Sequence, residues 1–354
     1  MQGFETADDA PPWVRVIIVN YNAGALLQPC LDAVAAQSMR DFEVVIVDNA
    51  STDGSLDALK LPDARFALLR NATNMGFAAA NNMGARGARA AWLATLNPDT
   101  VAAPDWLEEM RRGAERHRVS MLGATLLDAD DPQVVDGFGD VLTIAGIPWR
   151  GGQGSSVDTL PLSDAEVFSP CAAAALYARA SFERAGGFDA AFFCYLEDVD
   201  LGFRLRLSGE RCVQLRRAIV HHHGSAITGA VSGFTLFHSY RNRLWLLVKN
   251  MPAALLLIAV PLNVACSVLL ILILGRRGHP MLAPLKGLVA GLWPAPVLAS
   301  RRAVQQQRRI STAAVARALV WDIYQIRRLP VATLEAGAQE SGLGKALDRE
   351  NASQ

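Results

Sequence analysis

The chain has 354 residues, 51% of them apolar, and its 34 basic and 34 acidic side chains give a net charge of zero. This length suits one large domain with an appendage, or two domains. The five cysteines are scattered without a CxxC pair, which argues against a disulfide framework and indicates reduced, intracellular thiols. The polar, acidic first dozen residues predict no secretory signal peptide.

The zero net charge hides an uneven distribution. Residues 236–330 carry 13 Lys and Arg against a single acid, Asp322, so the remainder of the chain is acidic by the same margin. A basic, apolar C-terminal third beside an acidic body points to a membrane surface or a phosphorylated partner.

The N-terminal part alternates strand-like and helix-like segments. Apolar, β-branched runs predict strands at 14–19, 42–47, 65–69 and 92–96, and helical spacing predicts helices at 26–37 and 77–90. This alternation is typical of an α/β fold with a mixed, mainly parallel sheet flanked by helices. Ligands bind such sheets beyond the carboxyl ends of the strands, where Asn20, Asp48 and Asp99 fall.

The later elements are shorter. A Gly-, Asp- and Pro-rich stretch at 128–164 predicts loops and a small hairpin that help to enclose a substrate. After it we expect a strand at 168–177, helices at 180–185 and 197–208, and a strand at 212–220.

Polar side chains follow the first strands. Asp48 can accept hydrogen bonds from the base or ribose of a nucleotide, whereas Asp53 in the next turn is better explained as a helix cap. Asn74 and Gly76 form a turn where the backbone can lie close to a ligand, although tight packing explains the neighbouring alanines equally well. Asn81 is a poor helix former near a helix start, which favours a binding role.

Asp99 lies in a short Asn97-Pro98-Asp99 turn that proline stiffens. Mg²⁺ and Mn²⁺ take oxygen ligands, and they commonly use one or two carboxylates together with substrate phosphates. The same turn is common in proteins, so the metal interpretation depends on the other acidic positions of the chain.

An acidic cluster, Glu197, Asp198 and Asp200, follows the aromatic run 192–195. Apolar surroundings raise the pKa of a carboxyl group, as a general base requires. Acidic residues also stabilise the first turn of a helix through its dipole. Both roles are open within the cluster.

A histidine triplet, 221–223, ends the last predicted strand. Side chains alternate along a strand, so His221 and His223 share one face and His222 takes the other. A neutral imidazole suits Mn²⁺ better than Mg²⁺. We expect only part of the triplet to reach the site.

Six motifs together carry a family resemblance: VIIVNYN, VIVDNASTDGS, NMGFAAANN, LNPDT, GGFDAAFFCYLEDVDLGFRLRLSG and VHHHGS. Their order and spacing over 14–250 resemble glycosyltransferase family 2, which has the GT-A fold. More narrowly, they resemble its bacterial rhamnosyltransferase-like branch, which acts on lipid-linked or cell-wall glycans. The resemblance implies an inverting transfer from a nucleotide-sugar donor, with Mg²⁺ or Mn²⁺ as cofactor.

The resemblance also implies roles for individual residues. Asp48 would contact the nucleobase, Asp99 would take the metal role of the family's DxD motif, and Asp198 would deprotonate the acceptor hydroxyl. His221, in an HxxxS arrangement with Ser225, would be the additional metal ligand. The implied donor-binding set is Asn20, Asn22, Asp48, Asn49, Asn74, Gly76, Asn81 and Asn97. The implied acceptor-side or supporting set is Tyr195, Glu197, Asp200 and Arg241.

The sequence departs from the family pattern in two places. Asn97 stands where the first DxD carboxylate would be, so Asp99 alone should hold a metal weakly until the donor pyrophosphate joins. The QxxRW element of processive members is also absent, and YRNRLW at 240–245 stands near where it would fall. We therefore expect a single transfer.

The apolar run 253–274 is long enough to span a bilayer, but basic residues flank both of its ends. A second run, 281–299, is interrupted by Lys286 and by prolines. A re-entrant or in-plane helical hairpin, anchored by the arginines of 301–309 at anionic headgroups, agrees with both the apolar length of these runs and the basic residues that flank them. A buried soluble subdomain or a dimer interface is the alternative.

These observations divide the chain into three parts. We expect a catalytic domain at 13–235, a basic, apolar helical region at 236–330 that associates with a membrane, and a disordered tail at 331–354. The enzyme would then be peripheral or monotopic on the cytoplasmic side of the bacterial inner membrane. A lipid-linked or polysaccharide acceptor fits this placement.

Rival functions differ in the residues they need. A nucleotidyltransferase would want a basic, Gly-rich loop after the first strand, which NYNAG at 20–24 does not offer. A catalytically degenerate scaffold is disfavoured by the presence of Asp48, Asp99, Asp198 and His221. Nucleic-acid binding is disfavoured because the C-terminal arginines alternate with apolar runs.

The identity of the donor follows from the resemblance alone. It would be dTDP-rhamnose, or alternatively a UDP-hexose or UDP-galactofuranose. A homodimer remains open.

Overall fold

The computed structural model describes residues 10–224 and 232–334. Within these ranges the strands are β1 Val14–Asn20, β2 Phe42–Asp48, β3 Phe66–Arg70, β4 Trp92–Leu96, β5 Thr100–Ala102, β6 Met121–Asp128, β7 Val135–Gly137, β8 Asp140–Leu142, β9 Pro148–Arg150, β10 Ala165–Val167, β11 Ala174–Ala178 and β12 Cys212–His222. The helices are α1 Leu27–Ala35, α2 Gly76–Ala85, α3 Trp106–His117, α4 Arg179–Arg184, α5 Glu197–Leu207, α6 Gly233–Asn250, α7 Ala253–Arg276, α8 Leu282–Gly291, α9 Ala295–Gln306 and α10 Thr312–Ala318.

Ten of these strands form one mixed sheet in the order β10-β12-β6-β11-β4-β1-β2-β3, with β5 beside β12 and β7 beside β6. The longest ladders, β1 with β2 and β6 with β12, are parallel, whereas β11 runs antiparallel between β4 and β6. β1 and β2 are buried along their whole length, as expected for parallel strands covered on both faces. The predicted fold class is confirmed.

Helices cover both faces of the sheet. Leu27 of α1 and Trp106 of α3 pack in one core cluster with Ile18 of β1. Leu201 of α5 packs in another cluster with Ile17, whose side chain points to the opposite face. This layering fixes the strand ends at one edge of the sheet, where the loops that follow β1, β2 and β4 come together.

Some boundaries differ from the prediction. The helix predicted at 77–90 ends at Ala85, because Arg86 is extended and Gly87 adopts a φ of +67°. Of the strand predicted at 168–177, only the part from Ala174 onward forms a strand, β11. Residues 168–173 are irregular. The elements α3, β5 and β6 lie in a stretch for which the sequence made no prediction.

The C-terminal helices pack on the N-terminal part of the chain through α6. Asn250 and Lys249 of α6 hydrogen-bond Asp200 of α5. α7 has 24 residues and a mean hydropathy of 2.7, enough to cross a membrane by length and composition. α8 and α9 meet at a 50° bend. The predicted tail falls mostly in 335–354, outside the described residues.

The segment after α10 returns to the small β8–β9 ribbon. Val320 N donates to Leu142 O, and Gly152 N donates to Leu329 O. Trp149 Nε1 also donates to Pro330 O at 2.9 Å. The end of the helical region therefore holds the ribbon in place beside the sheet edge.

Candidate functional site

A cavity of about 660 Å³ opens beyond the carboxyl ends of β1, β2 and β4. Eight of the predicted site residues line it: Asn49, Asn74, Gly76, Asn97, Asp99, Tyr195, Glu197 and Asp198. Seven others lie outside its lining: Asn20, Asn22, Asp48, Asn81, Asp200, His221 and Arg241. Just over half of the predicted site residues thus line one cavity. Arg150, Cys171 and His222 line it too, although they were not among the predicted site residues.

A hydrogen-bond network lies below the cavity lining. Asn20 Nδ2 donates to Asp48 Oδ1 at 2.9 Å and to Ser51 Oγ at 3.0 Å. Asn22, with a φ of +55°, accepts from Thr52 N at 2.8 Å. These contacts hold the loops after β1 and β2 together, so Asp48 is buried and already partnered.

The turn before α2 reaches the cavity through Asn49 and Asn74. Asn49 Nδ2 donates to Asn74 Oδ1 at 2.7 Å, and Asn49 Oδ1 accepts from Met75 N at 3.0 Å. Gly76 has a φ of +82°, and a Cβ there would lie 2.5 Å from Phe193 O. Only glycine allows this close approach.

Asn81 does not line the cavity, and its side chain stabilises the helix instead. It is buried within α2, and its Nδ2 donates to Phe77 O at 3.0 Å. This bond inside the helix explains how a poor helix former is accommodated there.

Asp99 and His222 face each other on the cavity wall, with Asp99 Oδ1 3.4 Å from His222 Nε2. His222 Nδ1 lies 2.7 Å from Asp136 Oδ2. With Nδ1 held by that carboxylate, Nε2 is aimed towards Asp99 and towards Asn97 Nδ2 at 3.5 Å. His221 lies at the next position of β12, so its side chain leaves on the opposite face.

Burial disfavours the charged form of His222, but its contacts with Asp136 and Asp99 outweigh burial and raise its pKa to about 9. Asp99 Oδ1 and Asn97 Oδ1 are buried without a hydrogen-bond partner in the described chain. Buried polar atoms in proteins are usually satisfied. These two oxygens and Nε2 therefore point to a ligand on this wall.

Asp198 and Glu197 also line the cavity, at the start of α5. Asp198 Oδ2 accepts from Ala172 N at 2.9 Å, and Oδ1 accepts from Val199 N at 2.8 Å. Burial raises the pKa of Asp198 in spite of these bonds and of the Arg150 charge. Burial and the Asp198 charge raise the pKa of Glu197 well above its usual range.

Asp200 lies two residues beyond Asp198 in α5 but is in a different environment. Its carboxylate accepts from Arg204 Nε, Lys249 Nζ and Asn250 Nδ2, each at 2.8 Å. Burial opposes its charge, but the two cations and these bonds lower its pKa. Asp200 is thus a buried anchor between α5 and α6.

The loop before α5 is backbone-strained and is held by α6. Phe193, Tyr195 and Leu196 all have positive φ values, between 65° and 69°. Asn242 Nδ2 donates to the carbonyls of Phe192, Cys194 and Tyr195 at 3.0, 3.0 and 2.7 Å. Such strain persists only where the surroundings over-determine it.

Arg241 supports the same loop from outside the cavity lining. Its Nη2 donates to Phe192 O at 2.9 Å, and its guanidinium lies 4.3 Å from the centre of the Trp245 ring. Tyr195, which does line the cavity, places its hydroxyl 2.9 Å from Thr235 Oγ1 at the start of α6. Asn242 was not predicted, because no sequence motif marks a single asparagine within a helix.

The β8–β9 ribbon contributes residues that the sequence did not single out. Asp140 and Arg150 pair across its two strands, so their side chains share one face. Asp140 is fully buried and accepts from Ser169 Oγ at 3.2 Å, and burial and the Asp198 charge raise its pKa. Arg150 lines the cavity. No local motif marks these positions, since three-residue strands in a Gly-rich stretch have little periodicity.

Comparison with known proteins adds three findings. Residues 15–183 match the model of glycosyl transferase family 2. The chain is 29% identical over 240 residues to the N-acetylglucosaminyl-diphospho-decaprenol L-rhamnosyltransferase of Mycobacterium tuberculosis H37Rv, covering 60% of this chain and 77% of that protein. It is 32% identical over 227 residues to an O-antigen biosynthesis protein of Myxococcus xanthus, of whose length it spans only 18%.

A solved structure shares the fold at low identity. The crystal structure of GalNAc-T7 with UDP, GalNAc and Mn²⁺ matches with a TM-score of 0.55 and 15% identity, over 68% of this chain and 48% of that one. This similarity supports the GT-A architecture of the sheet and its flanking helices.

Proposed function

This chain belongs to glycosyltransferase family 2, and from that premise we propose that it transfers one sugar, with inversion, from a nucleotide-sugar donor to a hydroxyl of a lipid-linked or cell-envelope glycan. The observation that carries the proposal is the arrangement of the cavity. Asp198, a half-buried carboxyl group with a raised pKa, lines the same cavity as Asp99 and His222.

Asp198 acts as the general base in the proposed reaction. It takes the proton of the acceptor hydroxyl while the oxygen attacks the anomeric carbon and the bond to the nucleoside diphosphate breaks. Attack from the face opposite the leaving group inverts the anomeric centre. A raised pKa strengthens Asp198 as a base, and its two backbone hydrogen bonds fix its orientation.

Asp99 and His222 are the residues that would hold Mg²⁺ or Mn²⁺, and the cation would have to displace the Nε2 proton that His222 otherwise retains with its pKa of about 9. The unpartnered Asp99 Oδ1 fits a hard cation, and Asp136 orients His222 as an outer partner orients a metal-bound histidine. No group of three or more metal-ligating side chains occurs in 10–224 and 232–334, so the donor diphosphate would complete the coordination. When bound, the cation would neutralise charge on the departing diphosphate. We therefore assign to His222 the role that the resemblance gave to His221.

The donor assignment is dTDP-L-rhamnose, supported by the name of the mycobacterial relative. The same name, with its diphospho-decaprenol part, supports an acceptor carried on a lipid diphosphate. UDP-hexose and UDP-galactofuranose are the alternatives for the donor. Asp48 and the network around Asn20 would support the nucleotide from below the cavity lining.

A membrane-surface location fits the exposed apolar residues of the C-terminal helices. Leu257 of α7 is 80% exposed, and Trp293 between α8 and α9 is 74% exposed. Arg302 of α9 is exposed as well and can meet anionic headgroups, whereas Arg301 donates to the carbonyls of Val248 and Met251. We propose a peripheral or monotopic attachment on the cytoplasmic face of the inner membrane.

A donor panel tests the function. Purified protein is mixed with dTDP-rhamnose or one of several UDP-sugars and a lipid-linked acceptor in vesicles, with Mg²⁺, Mn²⁺ or EDTA. We expect nucleoside diphosphate release with one donor, dependent on cation and acceptor, and an inverted anomeric linkage by NMR. Absence of turnover with every donor would favour the degenerate scaffold instead.

A further inference from the structure

Arg150 occupies a special place in the cavity. It ends β9, and it is the one Lys or Arg among the cavity-lining residues of the described chain. The lining also contains three acidic side chains, Asp99, Glu197 and Asp198. Arg150 is therefore the guanidinium group that this lining offers to an anionic ligand.

The guanidinium of Arg150 is only partly used by the protein. Its Nη1 contacts Asp136 Oδ2 and lies 3.4 Å from His222 Nδ1. Within the described residues, its Nε and Nη2 have no hydrogen-bond partner. An Arg side chain presents five N–H donors in a planar fork, so a second ligand can bind beside the Asp136 contact.

The contacts of Arg150 with its neighbours fix the orientation of its Nε and Nη2 atoms. Asp136 holds the guanidinium through one nitrogen and His222 through Nδ1, so Arg150 is fixed next to the wall that carries Asp99. The pairing with Asp140 across the ribbon fixes the backbone. Pre-oriented donors of this kind bind phosphate oxygens in pairs, which a Lys cannot reproduce.

We propose that Arg150 binds a diphosphate group in this cavity. The inference rests on the proposed function, which supplies two sources of that group: the nucleoside diphosphate of the donor and the diphosphate that links an acceptor sugar to its lipid. With Asn97 in place of a carboxylate, the wall holds a cation weakly, so a fixed guanidinium would carry more of the phosphate binding.

The first experiment measures binding without catalysis. Titration calorimetry compares dTDP and UDP with thymidine and uridine, in Mn²⁺ and in EDTA, for the wild type and Arg150→Gln. We expect the variant to bind the nucleoside diphosphates at least roughly tenfold more weakly in both conditions, and the nucleosides equally well.

The chain offers a matched control. Arg116 pairs with Asp164 at 2.9 Å, and His117 contacts the same carboxylate at 2.8 Å, away from the cavity. Arg116→Gln should leave all four affinities unchanged. Arg150→Gln leaves the Asp136 carboxylate without its guanidinium partner. The double variant Arg150→Gln/Asp136→Asn is therefore titrated beside Asp136→Asn alone. The double variant should bind the nucleoside diphosphates roughly tenfold more weakly than Asp136→Asn.

A second arm separates the two sources of diphosphate. KM is measured for a lipid-diphosphate acceptor and for a phosphate-free glycoside of the same sugar. Unchanged nucleoside diphosphate affinity with a KM increase confined to the lipid-diphosphate acceptor would assign Arg150 to the acceptor. If neither quantity changes, the proposal is overturned. Catalysis by the wild type in the donor panel shows separately whether the proposed function itself holds.

Discussion

The first two turns of α5 place acidic residues in opposite environments. Glu197 and Asp198 face the cavity, and burial raises the pKa of both. Asp200 is fully buried and is surrounded by Arg204, Lys249 and Asn250, and its pKa is lowered. Three carboxyl groups within four residues thus divide into two that favour taking up a proton and one that stays ionised.

The difference teaches that the neighbours of a carboxyl group decide its role. A buried carboxylate with two cations is an anchor, because the ion pairs offset the cost of removing its charge from water. A buried carboxyl group that has only backbone N–H donors and a distant cation is a stronger base. Each of the following predictions tests one side of this division.

The largest expected effect is on the cavity side. Asp198→Asn keeps the shape of the side chain and removes the base, so kcat should fall about 10²- to 10⁴-fold. The affinity for nucleoside diphosphate should stay near wild type. The temperature of unfolding should fall only modestly, because Asp198 makes no ion pair but one of its two backbone N–H donors loses its acceptor. Stopped assays of sugar transfer and calorimetry check this. Near-normal turnover would remove Asp198 from the mechanism.

Asp200→Asn should act on the other side of the division. It leaves Arg204 buried without its carboxylate and Lys249 with Asp189 alone, which should lower the free energy of unfolding by up to about 3–5 kcal/mol. Urea unfolding followed by circular dichroism measures this. The double variant Asp200→Leu/Lys249→Met removes a charge of each sign and should recover part of the loss.

The pH dependence of stability provides a second check on Asp200. Its pKa is lower in the folded chain than the usual 3.8, so its stabilisation is present above that pH and is lost as the pH falls below it. The difference in stability between wild type and Asp200→Asn should therefore shrink in acid. A difference that is constant down to pH 3 would contradict the ion-pair explanation.

A smaller effect is expected on the wall that carries Asp99. His222→Ala should weaken Mn²⁺ binding in the presence of nucleoside diphosphate by at least about tenfold, because Nε2 faces Asp99. His221→Ala is the matched control on the opposite face of β12 and should bind Mn²⁺ like the wild type. Electron paramagnetic resonance of free Mn²⁺ measures both. The reverse ranking would restore the ligand role to His221.

The histidine triplet shows how far sequence reasoning reaches. Alternation along a strand separates His222 from its neighbours, but only the pairing of β12 with β5 decides which face meets Asp99. The sheet itself was predictable, because buried β-branched runs alternated with helical patterns. The residues Arg150, Asp140 and Asn242 were not, because they reach the site through tertiary contacts of short or apolar elements without periodic patterns.

The smallest expected effect concerns Arg150, whose charge acts on Asp198. The charged groups around Asp198 are Glu197 on α5 and Asp140 and Arg150 on the ribbon, and only Arg150 favours the ionised form of Asp198. Arg150→Gln should therefore raise the pKa of Asp198 further. Since the base must be deprotonated, the acid limb of the kcat/KM profile should move to higher pH, whereas Arg116→Gln should leave it in place. A limb that stays or moves to lower pH would show that Arg150 does not act on Asp198, and the division within α5 would then rest on burial alone.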